Sequence, residues 1–151
     1  MRYRGQFPYP SAPRGFKDED FVYTFDSVDT LALAQPIPVG TVLRDIALRL
    51  HRDAPFLWRG VKVLSDQAGL GVQFRGPDGD LLSETYEPIW QSFFPGGTII
   101  AGFGVAPMEP EIECPLGAVV QVNLANLSLA GIVDQHTAVQ LLGVKRWEVG
   151  R

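Results

Sequence analysis

The sequence is poor in the residues from which most catalytic and metal centres are built. Cys114 is the single cysteine in 151 residues, so an intramolecular disulfide is impossible and a cysteine-based zinc cluster has too few ligands. Histidine occurs twice, at His51 and His136. No run approaches the ~18 uninterrupted apolar residues of a membrane-spanning helix. The opening MRYRGQFPYP also lacks the apolar core of a signal peptide. The expectation is a chain that is neither secreted nor inserted in a membrane. Acid is missing from one end: no Asp or Glu precedes Asp18.

That missing acid divides the chain by charge. Residues 1–17 carry Arg2, Arg4, Arg14 and Lys17, a charge of +4. The remainder carries nine basic and 17 acidic residues, a charge of −8. Residues 1–18 show neither a helical nor a strand period. Pro8, Pro10 and Pro13 hold this stretch extended, with Tyr3, Phe7, Tyr9 and Phe16 spread along it. Aromatic rings on a free arm would stay in water, so the arm either folds back on its own domain or docks into a neighbouring subunit. The partner-binding candidates are Arg2, Tyr3, Arg4, Phe7, Tyr9, Arg14 and Phe16.

The body, residues 19–151, reads as one all-β domain. Apolar residues make up 46% of the chain, enough for a buried core and against global disorder. Period-two alternation marks strands in Phe21–Phe25, Ile46–Leu50, Phe56–Val63, Val72–Arg75, Val119–Leu124 and Thr137–Val144. Gly76–Gly79 is a turn, and residues 70–84 read as a hairpin. Residues 86–94 are a short helix or an aromatic loop. Residues 98–101 and 103–105 are strand-like, Pro107 and Pro110 mark a connection, and Pro115–Gly117 is a turn. About eight or nine short strands without a long helix imply a single β-sandwich, jelly-roll-like, with an extended N-terminal arm.

No motif carries chemistry. His51 and His136 lie in or beside strands and read as structural or surface histidines. No Gly-x-Ser-x-Gly motif places a nucleophile, and Cys114, beside Pro115 with no cation near it in sequence, reads as a small buried hydrophobe. Glu109, Glu111 and Glu113 would share one strand face. That suits a hard cation, but more simply a solvated face or protected edge. Asp78 and Asp80 are explained by the turn around Gly79. Arg44, Arg49, Arg52, Arg59 and Lys62 make the middle of the body locally positive, with Asp45, Asp53 and Asp66 close enough in sequence to pair with them. The body charge of −8 argues against a nucleic-acid face. Trp58, Trp90 and Trp147 suit a core or interface better than a sugar platform. The reading is therefore non-enzymatic, with no catalytic residue, cofactor or metal.

Several segments taken together do carry a resemblance: HRDAPFLWRG from His51 to Gly60, VQFRGPDG from Val72 to Gly79, EIECPLG from Glu111 to Gly117 before a Val-rich strand and Asn126, and LLGVKRW from Leu141 to Trp147. The combination, across residues 45–147, resembles small virion structural proteins of tailed bacteriophages, in particular capsid cement or decoration proteins built as β-sandwiches. The resemblance implies a protein made in the host cytoplasm and carried on the capsid surface. Its implied partners are the major capsid protein and further copies of itself, as a dimer or trimer. The family has no catalytic residues to transfer. Two other readings stay open, a head–tail (neck) or tail β-sandwich and a carbohydrate-binding module using Trp58 or Trp90.

Overall fold

The computed structural model describes residues 9–34, 37–65, 70–80, 106–126 and 137–149. They form seven strands: β1 (Phe16–Phe25), β2 (Val42–Arg49), β3 (Phe56–Ser65), β4 (Leu70–Arg75), β5 (Ala106–Cys114), β6 (Val119–Asn126) and β7 (Thr137–Glu148). A single 3-10 turn, Leu31–Ala34, lies between β1 and β2. The odd strands make one antiparallel sheet, ordered β1-β7-β3-β5, and the even strands the other, ordered β2-β6-β4. Each described strand therefore lies in the sheet opposite its predecessor, and the first and last pair side by side. This is the winding of a jelly roll. The strands read from residues 81–84 and 98–105, and the segment 86–94, lie outside the described residues.

Alternation decides which side chains enter the core. Tyr23 and Phe25 on β1, Phe56, Trp58 and Val61 on β3, and Val139 and Leu141 on β7 point from the first sheet into the sandwich. They meet Ile46, Leu48, Val72, Phe74, Val120, Val122 and Leu124 of the second. Trp58 and Phe74 join the sheets edge to face, with ring centroids 5.6 Å apart. The Trp58 indole is fully buried and donates to the Gly60 carbonyl at 2.9 Å, so its polar atom is satisfied within its own strand.

Three elements differ from the sequence reading. Strand β1 begins at Phe16, because Phe16–Asp20 pair with Val144–Glu148. The last residues of the 1–18 segment are thus strand, and β7 runs on through Lys145, Arg146 and Trp147. Pro107 and Pro110 do not mark a connection; they sit inside β5. Among the described residues β5 pairs only with β3, and its register jumps from Trp58↔Ile112 to Gly60↔Pro107. Residues 108–111 thus stand against Arg59 alone. An edge strand with a bulge tolerates residues that lack an amide hydrogen.

Polar groups fix the second sheet. Asn123 accepts from the amide of Asp45 at 2.8 Å and donates to Gln73 at 2.9 Å, holding the β2 bulge where Asp45 adopts φ 59°. Asn126 donates to the Ile37 carbonyl at 2.7 Å and so secures the turn before β2. In the first sheet Gly143 is the point of closest approach. A Cβ there would collide with the Leu57 carbonyl and lie 2.8 Å from the Phe56 ring. Gly143→Ala is expected to lower stability by roughly 1–3 kcal/mol, the usual range for overpacking, read as a reduced urea midpoint with an unchanged slope.

Candidate functional site

The outer face of the four-stranded sheet carries a row of charge. Asp18 lies directly opposite Arg146 in the β1–β7 register and accepts two hydrogen bonds from it, at 2.7 and 2.9 Å. This bidentate pair raises the Arg146 pKa further above its ordinary value, chiefly through the Asp18 hydrogen bonds. Arg59 on β3 lies 3.8 Å from Asp18 and donates to Glu111 on β5 at 2.7 Å. The row thus crosses all four strands.

The row also holds the arm. The Tyr9 ring lies on the Arg59 guanidinium, 4.8 Å from centroid to carbon. The Tyr9 hydroxyl donates to the Arg59 carbonyl at 2.7 Å, and Arg59 donates to the Pro10 carbonyl at 3.3 Å. From there the chain turns at Pro13, whose carbonyl accepts from the Phe16 amide at 3.0 Å, and enters β1.

Beneath this face a lysine is enclosed by aromatic rings. The Lys145 side chain is 4% exposed, and its Nζ lies 3.8 Å from the Phe21 ring centroid, 5.6 Å from Tyr23 and 6.0 Å from Trp147. It donates to Asp53 at 2.8 Å and lies 2.9 Å from His51 Nδ1. An ammonium has no acceptor, so Nδ1 accepts and the imidazole proton sits on Nε2. Tyr23 in turn accepts from the His51 amide at 3.0 Å, and burial is the main cause of its raised pKa. Lys, His, Asp and Tyr are the ingredients of many active sites, but here they satisfy one another. The cluster stitches β7 to β1 and to the segment after β2, and the charge cost of burial is met by Asp53 and the ring faces.

A groove of about 500 Å³ opens beside the stitch. Its apolar wall is Pro13, Phe16, Pro55, Leu57, Leu116 and Trp147, and its carboxylates are Asp53, Glu113 and Glu148. Phe16 is 43% and Leu116 56% exposed. Backbone bonds set the shape. The Gly117 amide donates to the His51 carbonyl, and that of Arg146 to the Pro55 carbonyl. The Trp147 Nε1 is buried with no hydrogen-bond partner, an indole donor without an acceptor.

The sequence candidates are distributed as follows. Tyr9 is engaged by Arg59 of its own domain, Arg14 is exposed in the turn before β1, and Phe16 lines the groove. Arg2, Tyr3, Arg4 and Phe7 lie outside the described residues, as do His136, Asp66 and Trp90. Two ion-pair expectations are corrected: Asp53 pairs with Lys145, and Arg59 with Glu111 and Asp18. Trp58 is buried in the core and offers no sugar platform. Glu111 is committed to Arg59, while Glu113 faces the groove. Among the described residues no group of three or more His, Cys, Asp or Glu is arranged to hold a metal. The lysine stitch and the groove escaped the sequence reading, and the only signal was Lys145-Arg146-Trp147 continuing the alternation of β7.

The chain matches no family model and no curated protein. Among solved structures it is similar to the VP2 subviral particle of infectious bursal disease virus. There the identity is 12% and the TM-score 0.33, over 97% of this chain and 36% of that one. It is also similar to the structure of the Gx strain of infectious bursal disease virus, at 14% identity and TM-score 0.30, over 99% and 42%. The chain thus spans well under half the length of either. Overlaps this loose carry no argument, and the architecture rests on strand order and register.

Two outcomes follow for the titratable groups. The Lys145 hydrogen bond is the main cause holding the Asp53 carboxyl below its ordinary value. Its stabilising effect is full above the unfolded pKa of about 4 and is lost as pH falls through the lower folded value. Asp53→Asn should flatten the loss of thermal midpoint across that acid window and leave its slope near neutral pH unchanged. Burial, with smaller contributions from Asp78 and Glu113, pushes the Cys114 thiol up to about 12. A disulfide reagent at pH 8 is expected to leave folded protein untouched and to titrate one thiol in urea.

Proposed function

We propose that the chain is a non-enzymatic structural protein of a virus particle, of the capsid cement or decoration type. In this reading it sits on the capsid surface, binds the major capsid protein and stabilises the head. The observation that carries the reading is the clamp on the arm. Tyr9 and Pro10 are fixed to Arg59 in the middle of a four-stranded sheet, so the basic, aromatic residues ahead of them start from a rigid point. A fixed root lowers the entropy lost when such a segment docks, and arms of this kind gain avidity on a repeating lattice. The jelly-roll winding suits the role, since the fold is common in capsid and lectin domains, although fold alone does not assign function. A neck or tail position shares these features and is separated by copy number.

The clamp also says where to cut. Removing residues 1–17 would take away Tyr9 and the start of β1, whereas removing residues 1–8 leaves both. The shorter deletion is expected to keep the thermal midpoint of the full chain and to abolish co-sedimentation with capsids. Unchanged capsid occupancy would overturn the reading. Quantitative mass spectrometry of purified particles should give a copy number matching the capsid lattice; a count the size of one ring would move the protein to the neck or tail.

A further inference from the structure

We propose that the contact between His51 and Lys145 is a proton-sensitive latch, and that mild acid releases residues 51–55 from the end of β7. Unlike the capsid role, the latch needs no partner and stands whether or not that role holds.

His51 Nδ1 lies 2.9 Å from the Lys145 Nζ and accepts from it only while the ring is neutral. A protonated imidazole carries a hydrogen on both nitrogens and has no lone pair to offer. The contact would then set two donors and two positive charges against each other. Lys145 is not free to withdraw. Its side chain is 4% exposed, and the rings of Phe21 and Tyr23 lie against its ammonium. His51 is exposed, so it is the partner that leaves. Imidazole is the side chain that gains a proton between about pH 8 and pH 5, and this sets the window.

The groups around the imidazole offer a new cation no ready partner. Strand β7 presents Lys145. Strand β1 presents Tyr23, whose hydroxyl accepts from the His51 amide at 3.0 Å. On the same side of β1 are Lys17 and Glu19, in register with Trp147 and Lys145. Behind Tyr23 stands Cys114 of β5, and Glu113 of β5 lines the groove with Asp53. The segment itself adds Arg52 and Asp53. Asp53 is already taken by Lys145 at 2.8 Å, and that bond holds its carboxyl below the ordinary value, so it stays ionised in this window. Burial raises Tyr23 and Cys114, which stay neutral. The segment has few other ties: the Gly117 amide donates to the His51 carbonyl, and the Arg146 amide to the Pro55 carbonyl. Leu50 and Phe56, at its two ends, are buried in the core and confine the movement to the residues between them. Asp53, Ala54 and Pro55 line the groove, so release opens that wall. It also uncovers Phe21 and Tyr23, which the imidazole meets edge to face at 5.7 and 4.9 Å.

Native-state hydrogen exchange on the full chain tests the latch. Protection of the His51, Gly117 and Arg146 amides, corrected for the intrinsic effect of pH, is expected to fall at least tenfold between pH 7.5 and pH 5.0. His51→Asn places an acceptor near the Nδ1 position and takes up no proton. Its protection should change less than twofold over the same range, with the thermal midpoint at pH 7.5 close to that of the unmodified chain. Lys145→Met removes the opposing cation and should abolish the fall although His51 still titrates. His136→Asn should behave as the unmodified chain. Equal protection at both pH values in the unmodified chain would overturn the inference. So would a fall that persists in His51→Asn or in Lys145→Met, or one that vanishes in His136→Asn. Should Lys145→Met fail to fold, the comparison of the unmodified chain with His51→Asn decides, since His51 is an exposed side chain.

Discussion

The pairing of β1 with β7 is the constraint on which the other features depend. Ten consecutive rungs, from Phe16↔Glu148 to Phe25↔Val139, join the first described strand to the last. They set Asp18 opposite Arg146, bring Phe21 and Tyr23 over Lys145, and place Phe16 beside the end of β7. A slip of one residue would reverse every side chain on β1. The charge row, the lysine stitch and the apolar wall would then be lost together. Gly143 permits the arrangement, because β3 approaches β7 so closely at Leu57 that no side chain fits between them.

Lys145, Arg146 and Trp147 divide the work of that end of the molecule by alternation alone. Lys145 turns inward and ties the sandwich end to the segment after β2. Arg146 turns outward and sets one end of the charge row that fixes the arm. Trp147 turns back toward the groove. Three successive residues therefore couple the core, the arm and the open surface, and because strand geometry is rigid the spacing between them is fixed.

Much of the fold was legible because strands with one buried face announce themselves by alternation. Phe21–Phe25, Val72–Arg75 and Val119–Leu124 are examples, and Gly79 and Gly117 lie at positive φ in the turns that follow β4 and β5. The first half of β1 was hidden because Lys17-Asp18-Glu19-Asp20 reads as a solvated run. Its meaning depends on Arg146, which lies 128 residues away. Strand β5 was hidden because prolines usually end strands, and only its place beside a bulge makes them acceptable. The lysine stitch was illegible for the same reason as the charge row. Asp53 lies close in sequence to several arginines, yet its partner Lys145 is 92 residues distant, and no local pattern encodes a pairing of that span. The opposite charges of arm and body were plain from composition, but the anchoring of Tyr9 and Pro10 on Arg59 was not.

Joining the first strand to the last also governs when the molecule becomes competent. Contacts between such distant residues carry a large loop-closure cost and form slowly. A nascent chain cannot complete the β1–β7 ladder until residue 148 has been made. Until then Asp18 lacks Arg146, Arg59 lacks part of its support, and the groove lacks its tryptophan wall. The charge row and the groove wall thus mature in the same late step, so an unfinished chain at the ribosome carries its basic N-terminal residues before the surface formed by Arg146 and Trp147 exists.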